Sequence, residues 1–199
     1  PGQHGRAAGS DGGAGELLRA VGQTVTPGVV GLLASLGLPR VVVARKPRVA
    51  ILSTGDEVVA PGIELKPGQI HSSNNHALAA MVTAAGGEAI DLGNVSDDPS
   101  DLAEAFAAAA AAGDILLSTG GVSVGDFDHV KSVIGDGVTF WRVAMKPGKP
   151  LAFGRLRGTR TFGLPGNPVS CLVNFLQFVR PVIRVMLGDP APYLPVVEA

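Results

Sequence analysis

From residue 48 onward the apolar positions switch between two periods. Val49, Ala50, Ile51 and Leu52 form a continuous apolar run that stops at Ser53-Thr54-Gly55, as in a strand buried on both faces. Beyond a loop marked by Pro61, Gly62, Pro67 and Gly68, the residues Leu78, Met81, Val82 and Ala85 recur at i, i+3, i+4, i+7. They make a helix face closed by Gly86-Gly87. Residues 89–92 read as a second strand. Asp98 suits an N-cap, with Pro99 at the first helical position, and the helix runs through Leu102 and Phe106 into an alanine run over 107–112 that ends at Gly113. Ile115, Leu116 and Leu117 form a third strand. A helix opens over 129–134, and strands are predicted at 138–143, 151–156 and 160–164. A long apolar helix is predicted over 168–187, bent at Pro181. Strands alternating with helices predict an α/β fold, a three-layer α/β/α domain with a largely parallel sheet. In such sheets ligands sit at the carboxyl ends of the strands.

The segment before residue 48 follows a looser pattern. Residues 1–15, rich in Gly, Ala and Ser, read as a flexible lead-in. Short helices are expected at 16–20 and 27–38; in the second, Val29, Leu32, Leu33 and Leu36 share a face and Gly37 is the stop. Val41, Val42 and Val43 make a short strand candidate. The expected division is a leader over 1–46, an α/β/α domain over 47–189, and a tail or linker over 190–199, where Pro190, Pro192 and Pro195 fall.

Composition narrows the function classes. With 16 basic and 17 acidic side chains the net charge is −1. Without a Lys/Arg run, bulk nucleic-acid binding is disfavoured, although a few cations focused in one pocket still suit a small anion. Cys171 is the one cysteine, so no disulfide forms within the chain, and its apolar neighbours mark a buried structural thiol. No stretch reaches the roughly 18 apolar residues of a spanning helix, and residues 1–15 do not resemble a signal peptide. A cytoplasmic protein is expected.

Four segments at predicted strand ends or helix starts carry candidate chemistry. Ser53-Thr54-Gly55-Asp56-Glu57 offers hydroxyls and carboxylates to position a ligand or a metal-bound water. Gly120-Gly121-Val122-Ser123-Val124-Gly125 lets backbone N–H groups approach an anion, with Asp126 and Asp128 following at once. A phosphate loop beside a carboxylate points to a bridging divalent metal. Lys146-Pro147-Gly148-Lys149-Pro150 presents two lysines from a stiff turn, suited to an oxyanion or phosphate. Leu164-Pro165-Gly166-Asn167-Pro168-Val169-Ser170 opens the long helix, where free N–H groups and the dipole favour anions. Taken singly, each also has an ordinary structural reading as a polar turn or a cap. The histidines His4, His71, His76 and His129 show no metal spacing.

Taken in order, STGDE (53–57), PGQI…SN (67–74), DDP (97–99), STGGVSVGDFD (118–128), WRVAMKPGKPLAFG (141–154) and LPGNPVS (164–170) resemble the molybdopterin molybdenumtransferases. The likeness covers almost the whole chain, including the GELL and GLLASLG segments of the leader. It implies the molybdopterin-binding α/β/α fold and a reaction of adenylylated molybdopterin with molybdate, aided by Mg2+, that yields molybdenum cofactor and AMP. It implies catalytic roles for Glu57, Asp97, Asp128, Arg142 and Lys146, with Asp97, Asp128 and Glu57 holding the metal. Thr54, Gly120, Gly121, Ser123, Gly125, Lys149, Pro165, Asn167, Pro168 and Ser170 would contact the ligand. Departures are Ser72, where many members have Asp, and Arg142, where members often have Lys. Members carry further domains on both sides, so the chain is expected to be a fragment of a homodimeric protein, binding ligand but weakly active alone. A molybdopterin adenylyltransferase and a non-catalytic binding or scaffold module are the competing readings; Val122-Ser123 with the KPGKP and PGNPVS segments favours the first.

Overall fold

The computed structural model describes residues 13, 15–120 and 138–195, with backbone alone for 138–142. Strand β1 (Arg48–Thr54) is buried at every position after Arg48. It lies between two parallel neighbours, β4 (Glu88–Val95) and β5 (Ile115–Thr119). Strand β8 (Thr159–Leu164) continues the parallel set beside β5, while β7 (Pro150–Leu156) and β6 (Val138–Arg142) run antiparallel to their neighbours. The six-stranded order is β4-β1-β5-β8-β7-β6. The β7–β8 hairpin turns through Arg157 (φ 49°) and Gly158 (φ 88°), two left-handed residues as a type I′ turn requires.

Side-chain alternation along the strands divides the core into two layers. On one face Val49, Ile51, Ile115 and Leu117 pack with Leu78 and Val82 of α2 (Asn74–Ala85) and with Cys171, Phe175, Val179 and Ile183 of the long C-terminal helix. On the other, Ala50, Leu52 and Leu116 meet Leu102, Phe106 and Ala109 of α3 (Pro99–Ala112). Each fully buried large side chain contributes about 1.5–3 kcal/mol, so helices on both faces are needed to cover a parallel sheet. Both helix ends follow the sequence grammar. Asp98 accepts from the Ser100 and Asp101 N–H groups at the start of α3, and Gly86 closes α2 at φ 97°.

The expected α/β/α class holds, and four local expectations are corrected. Residues 16–20 are not helical; the six residues between Gly15 and Gly22 cannot repay helix nucleation. Residues 41–43 form no strand: no strand pairs with their backbone, and Val42 is fully exposed. The helix at 27–38 is shorter, as α1 (Pro27–Ser35). In the C-terminal helix the irregularity precedes Pro181. Segment α4 (Pro168–Asn174) passes into a π turn (Phe175–Val179) and then α5 (Arg180–Met186). The Arg180 N–H reaches back to the Phe175 carbonyl. The widened turn makes room for a proline ring that has no N–H and crowds the preceding turn.

By length and composition the 19-residue stretch Pro168–Met186, with hydropathy 1.4, would also suit a membrane span, contrary to the sequence expectation. Its Cys171, Phe175, Val179 and Ile183 are spent on the core of the sheet. A small parallel ladder of β2 (Val58–Val59) with β3 (Ile70–His71), also unanticipated, orders the loop after β1.

Candidate functional site

Three parallel strands deliver their carboxyl ends to one place. Thr54 ends β1 and is 4% exposed; Thr119 ends β5 and is 2% exposed. Gly120 then takes φ 90°, and a Cβ there would lie 2.6 Å from the Thr54 carbonyl oxygen and 3.1 Å from its Oγ1. Glycine is demanded twice over, by the left-handed backbone and by direct contact with the end of β1. The segment after β8 joins them, since a Cβ on Gly166 would stand 3.8 Å from the Gly120 Cα. At the start of α2, Asn74 Nδ2 donates to Thr119 Oγ1 and to the Gly166 carbonyl, each at 2.8 Å. Pro165 is buried; Asn167 caps α4 by accepting from the Ser170 N–H at 3.1 Å, with Pro168 at the first position.

Two flanks complete the arrangement. On one, Asn94 Nδ2 donates to the Gly55 and Val58 carbonyls at 2.9 and 3.1 Å, fastening the turn after β1 to β4. Glu57 is exposed on that turn. Asp97 is exposed beyond β4, and its N–H meets Asp56 Oδ1 at 3.4 Å, so the two carboxylate-bearing segments adjoin. On the other flank the Lys146–Pro150 turn, with a cis Lys146–Pro147 bond and Gly148 at φ 103°, leaves Lys146 and Lys149 exposed. The fully buried Asn174 of α4 donates from Nδ2 toward the carbonyls of Gly148 (3.1 Å), Pro150 (3.3 Å) and Ser170 (3.0 Å).

A family profile described as "Probable molybdopterin binding domain" matches residues 50–185, the span from β1 into α5. The chain belongs to this molybdopterin-binding domain family. It is 42% identical over 203 aligned residues to molybdopterin molybdenumtransferase 2 of Mycobacterium tuberculosis, covering 98% of this chain and 50% of that one. To the molybdopterin molybdenumtransferase of Nostoc sp. it is 46% identical over 173 residues, covering 84% and 40%. Among solved structures, a molybdopterin biosynthesis MoeA protein of Pyrococcus horikoshii superposes with a TM-score of 0.77 at 40% identity, over 84% of this chain and 42% of that one. The chain thus spans about half the length of the curated relatives it matches.

Within this molybdopterin-binding domain, the structure gathers Thr54, Gly120, Pro165, Asn167, Pro168 and Ser170 around the strand ends. Lys146 and Lys149 lie on a turn tied to the same helix, and Glu57 and Asp97 on the opposite flank. Gly121, Ser123, Gly125 and Asp128, with the helix expected at 129–134, lie outside the described residues, as does the Arg142 side chain. Among the described residues no group of three His, Cys, Asp or Glu side chains converges as a metal site.

Sequence reasoning passed over the amides. Asn75, 2% exposed, donates to Asp91 Oδ1 and the Gly93 carbonyl, holding the bulge where β4 shifts register against β1. Its place three residues before Leu78, on the apolar stripe, was the available signal. For Asn174 the signal was one polar residue inside Cys171-Leu172-Val173-Asn174-Phe175. Cys171 is buried as expected, and burial pushes its thiol up to about 12, away from any nucleophilic role.

Proposed function

We propose that this chain is the ligand-handling domain of a molybdopterin molybdenumtransferase, which joins adenylylated molybdopterin and molybdate to give molybdenum cofactor and AMP. The observation that carries this reading is the convergence of Thr54, Thr119-Gly120 and Gly166 at the strand ends. Backbone comes close there, and the Lys146–Pro150 turn is fastened to the same helix.

A ligand phosphate would approach the backbone N–H groups after the β5 end, on the side of Gly120 away from Thr54, whose carbonyl occupies the space a Cβ would take. Lys146, Lys149 and Arg142 would neutralise phosphate and molybdate oxygens; hydrogen bonds to charged groups contribute about 1.5–3 kcal/mol each. Glu57 and Asp97 are hard oxygen donors on adjoining segments. Mg2+ takes carboxylate oxygens and completes its shell with phosphate and water. These two, with Asp128, would hold Mg2+, whose charge would offset that of the opening phosphoanhydride. The same carboxylates would orient a water.

The test is calorimetric titration of the chain with adenylylated molybdopterin, followed by AMP release on adding molybdate. Micromolar binding is expected, with AMP release slower than from a full-length molybdenumtransferase, because orientation of the anhydride supplies roughly 7–11 kcal/mol in favourable cases. No binding of adenylylated molybdopterin, molybdate or AMP would overturn the reading.

A further inference from the structure

Two asparagine side chains tie α4 and its entry to the surrounding segments. Asn74 ties the end of β5 to the segment that enters α4, through Thr119 Oγ1 and the Gly166 carbonyl. Asn174 ties the lysine-bearing turn to α4 itself, through the Gly148, Pro150 and Ser170 carbonyls. Chemistry fixes the orientation of both amides. Three carbonyls surround Asn174 Nδ2, and a carbonyl cannot donate, so only the NH2 end satisfies that position. For Asn74 the Gly166 carbonyl imposes the same choice. In each, the Oδ1 atom is buried with no hydrogen-bond partner among the described residues. Leaving a buried acceptor unpaired destabilises the fold. Asn75 Oδ1 and Ser118 Oγ are buried and unpaired likewise, so these orphan groups gather toward the carboxyl ends of the strands, where Asn74 and Asn174 serve placement of the loops more than stability.

We propose that Asn74 and Asn174 are positioning residues that set the spacing between the Thr119-Gly120 strand end, the Gly166 entry to α4 and the Lys146–Pro150 turn. This rests on the functional reading above for the identity of the ligand. Gly148 shows why the spacing is tight: a Cβ there would lie 3.1 Å from Asn174 Nδ2 and 2.6 Å from Met145 Cε. The turn is seated on the amide itself, so the lysines' distance from the strand ends is fixed by hydrogen bonds to backbone and not by their own contacts.

The experiment compares the wild-type chain with Asn174→Asp, Asn74→Ala and a control, Phe106→Leu, which perturbs the core on the far face of the sheet. The probe is AMP, followed by calorimetry at several pH values. Amide hydrogen exchange is recorded over residues 143–150 and 164–172. At pH 8 both asparagine variants are expected to bind AMP about tenfold more weakly or worse, against less than about twofold for the control at matched loss of Tm. A carboxylate facing three carbonyls loses both donors, whereas its protonated form regains one. The Asn174→Asp deficit is therefore expected to shrink as pH falls toward 5, relative to wild type. Exchange is expected to rise in both segments of Asn174→Asp and in 164–172 alone for Asn74→Ala. Wild-type affinity in both folded variants, or a pH profile parallel to wild type, overturns the positioning roles. If the wild-type chain binds neither AMP nor adenylylated molybdopterin nor molybdate, the functional reading falls. Exchange then decides the bracing, and segments that open no more than in the control refute it.

Discussion

The two ends of the central sheet are built on opposite principles. At the amino ends of β1 and β5 a carboxylate is fully engaged. Asp114 accepts from Arg45 Nη1 and Nη2 at 2.6 Å each and from the Arg48 N–H at 2.8 Å, closing the gap between β1 and β5. Gly113 admits no Cβ, with the Arg48 carbonyl and Ala50 nitrogen 3.0 Å from where one would stand. At the carboxyl ends, Asn74 and Asn174 leave their oxygens unpaired, Gly120 adopts a left-handed backbone, and Glu57, Asp97, Lys146 and Lys149 stand exposed. One rim is closed around a paired carboxylate. The other keeps unused hydrogen-bonding capacity and exposed charge, the condition for receiving a polar ligand.

Substitutions at the two rims separate these principles. Gly120→Val should have the largest effect. The side chain meets the Thr54 carbonyl in a backbone region that favours glycine, so a stability loss of about 3 kcal/mol and an AMP affinity lowered about 100-fold are expected. Chemical denaturation and calorimetry measure the two, and affinity within threefold of wild type would mean that Gly120 does not border the ligand. Lys149→Ala should lower AMP affinity about tenfold with Tm unchanged, since an exposed lysine supplies charge and little packing. A variant that binds normally would move the phosphate away from the Lys146–Pro150 turn.

The closed rim should behave in reverse. Gly113→Ala is expected to cost about 1–3 kcal/mol by overpacking while leaving AMP affinity unchanged; a ligand defect of equal size would erase the contrast between the rims. The smallest effect is electrostatic. The Arg45 guanidinium, hydrogen-bonded to Asp114, is the main cause that holds this carboxyl at about 2, below its ordinary 3.8. A depressed carboxylate stabilises the folded state above its unfolded pKa, so this contribution is whole above about pH 4 and is lost as pH falls toward 2. Arg45 is exposed and the pair is screened by solvent, so less than about 1 kcal/mol is at stake. Asp114→Asn should lose this contribution at pH 7 and converge on wild type as pH falls toward 2, flattening the stability-against-pH curve between pH 4 and pH 2; a deficit that stays the same at pH 2 would show that the ionised carboxylate is not its source.

Much of this was legible beforehand because the signals are local. The apolar run 49–52, the stripe Leu78-Met81-Val82-Ala85, the Asp98-Pro99 cap and the alanine run each specify an element through neighbours within two turns, and β1, α2 and α3 follow them. The motif ends Thr54, Gly120 and Asn167 were placed at strand and helix termini for the same reason. Residues 41–43 misled because β propensity describes a preference for pairing, and pairing needs an edge that the sequence does not reveal.

By itself, then, the sequence determined the layer order, the ends of the principal helices, the buried thiol of Cys171 and the residue types offered at each strand end. Tertiary structure alone decided that Thr54, Thr119-Gly120 and Gly166 meet, and that Asn74 and Asn174 join them to the lysine turn. It also decided that Arg45 and Asp114, 69 residues apart, close the far rim. The division has a physical cause. Hydrophobic period, capping and backbone preference act between residues a few positions apart, whereas an amide's partner is set by which strands the sheet brings side by side.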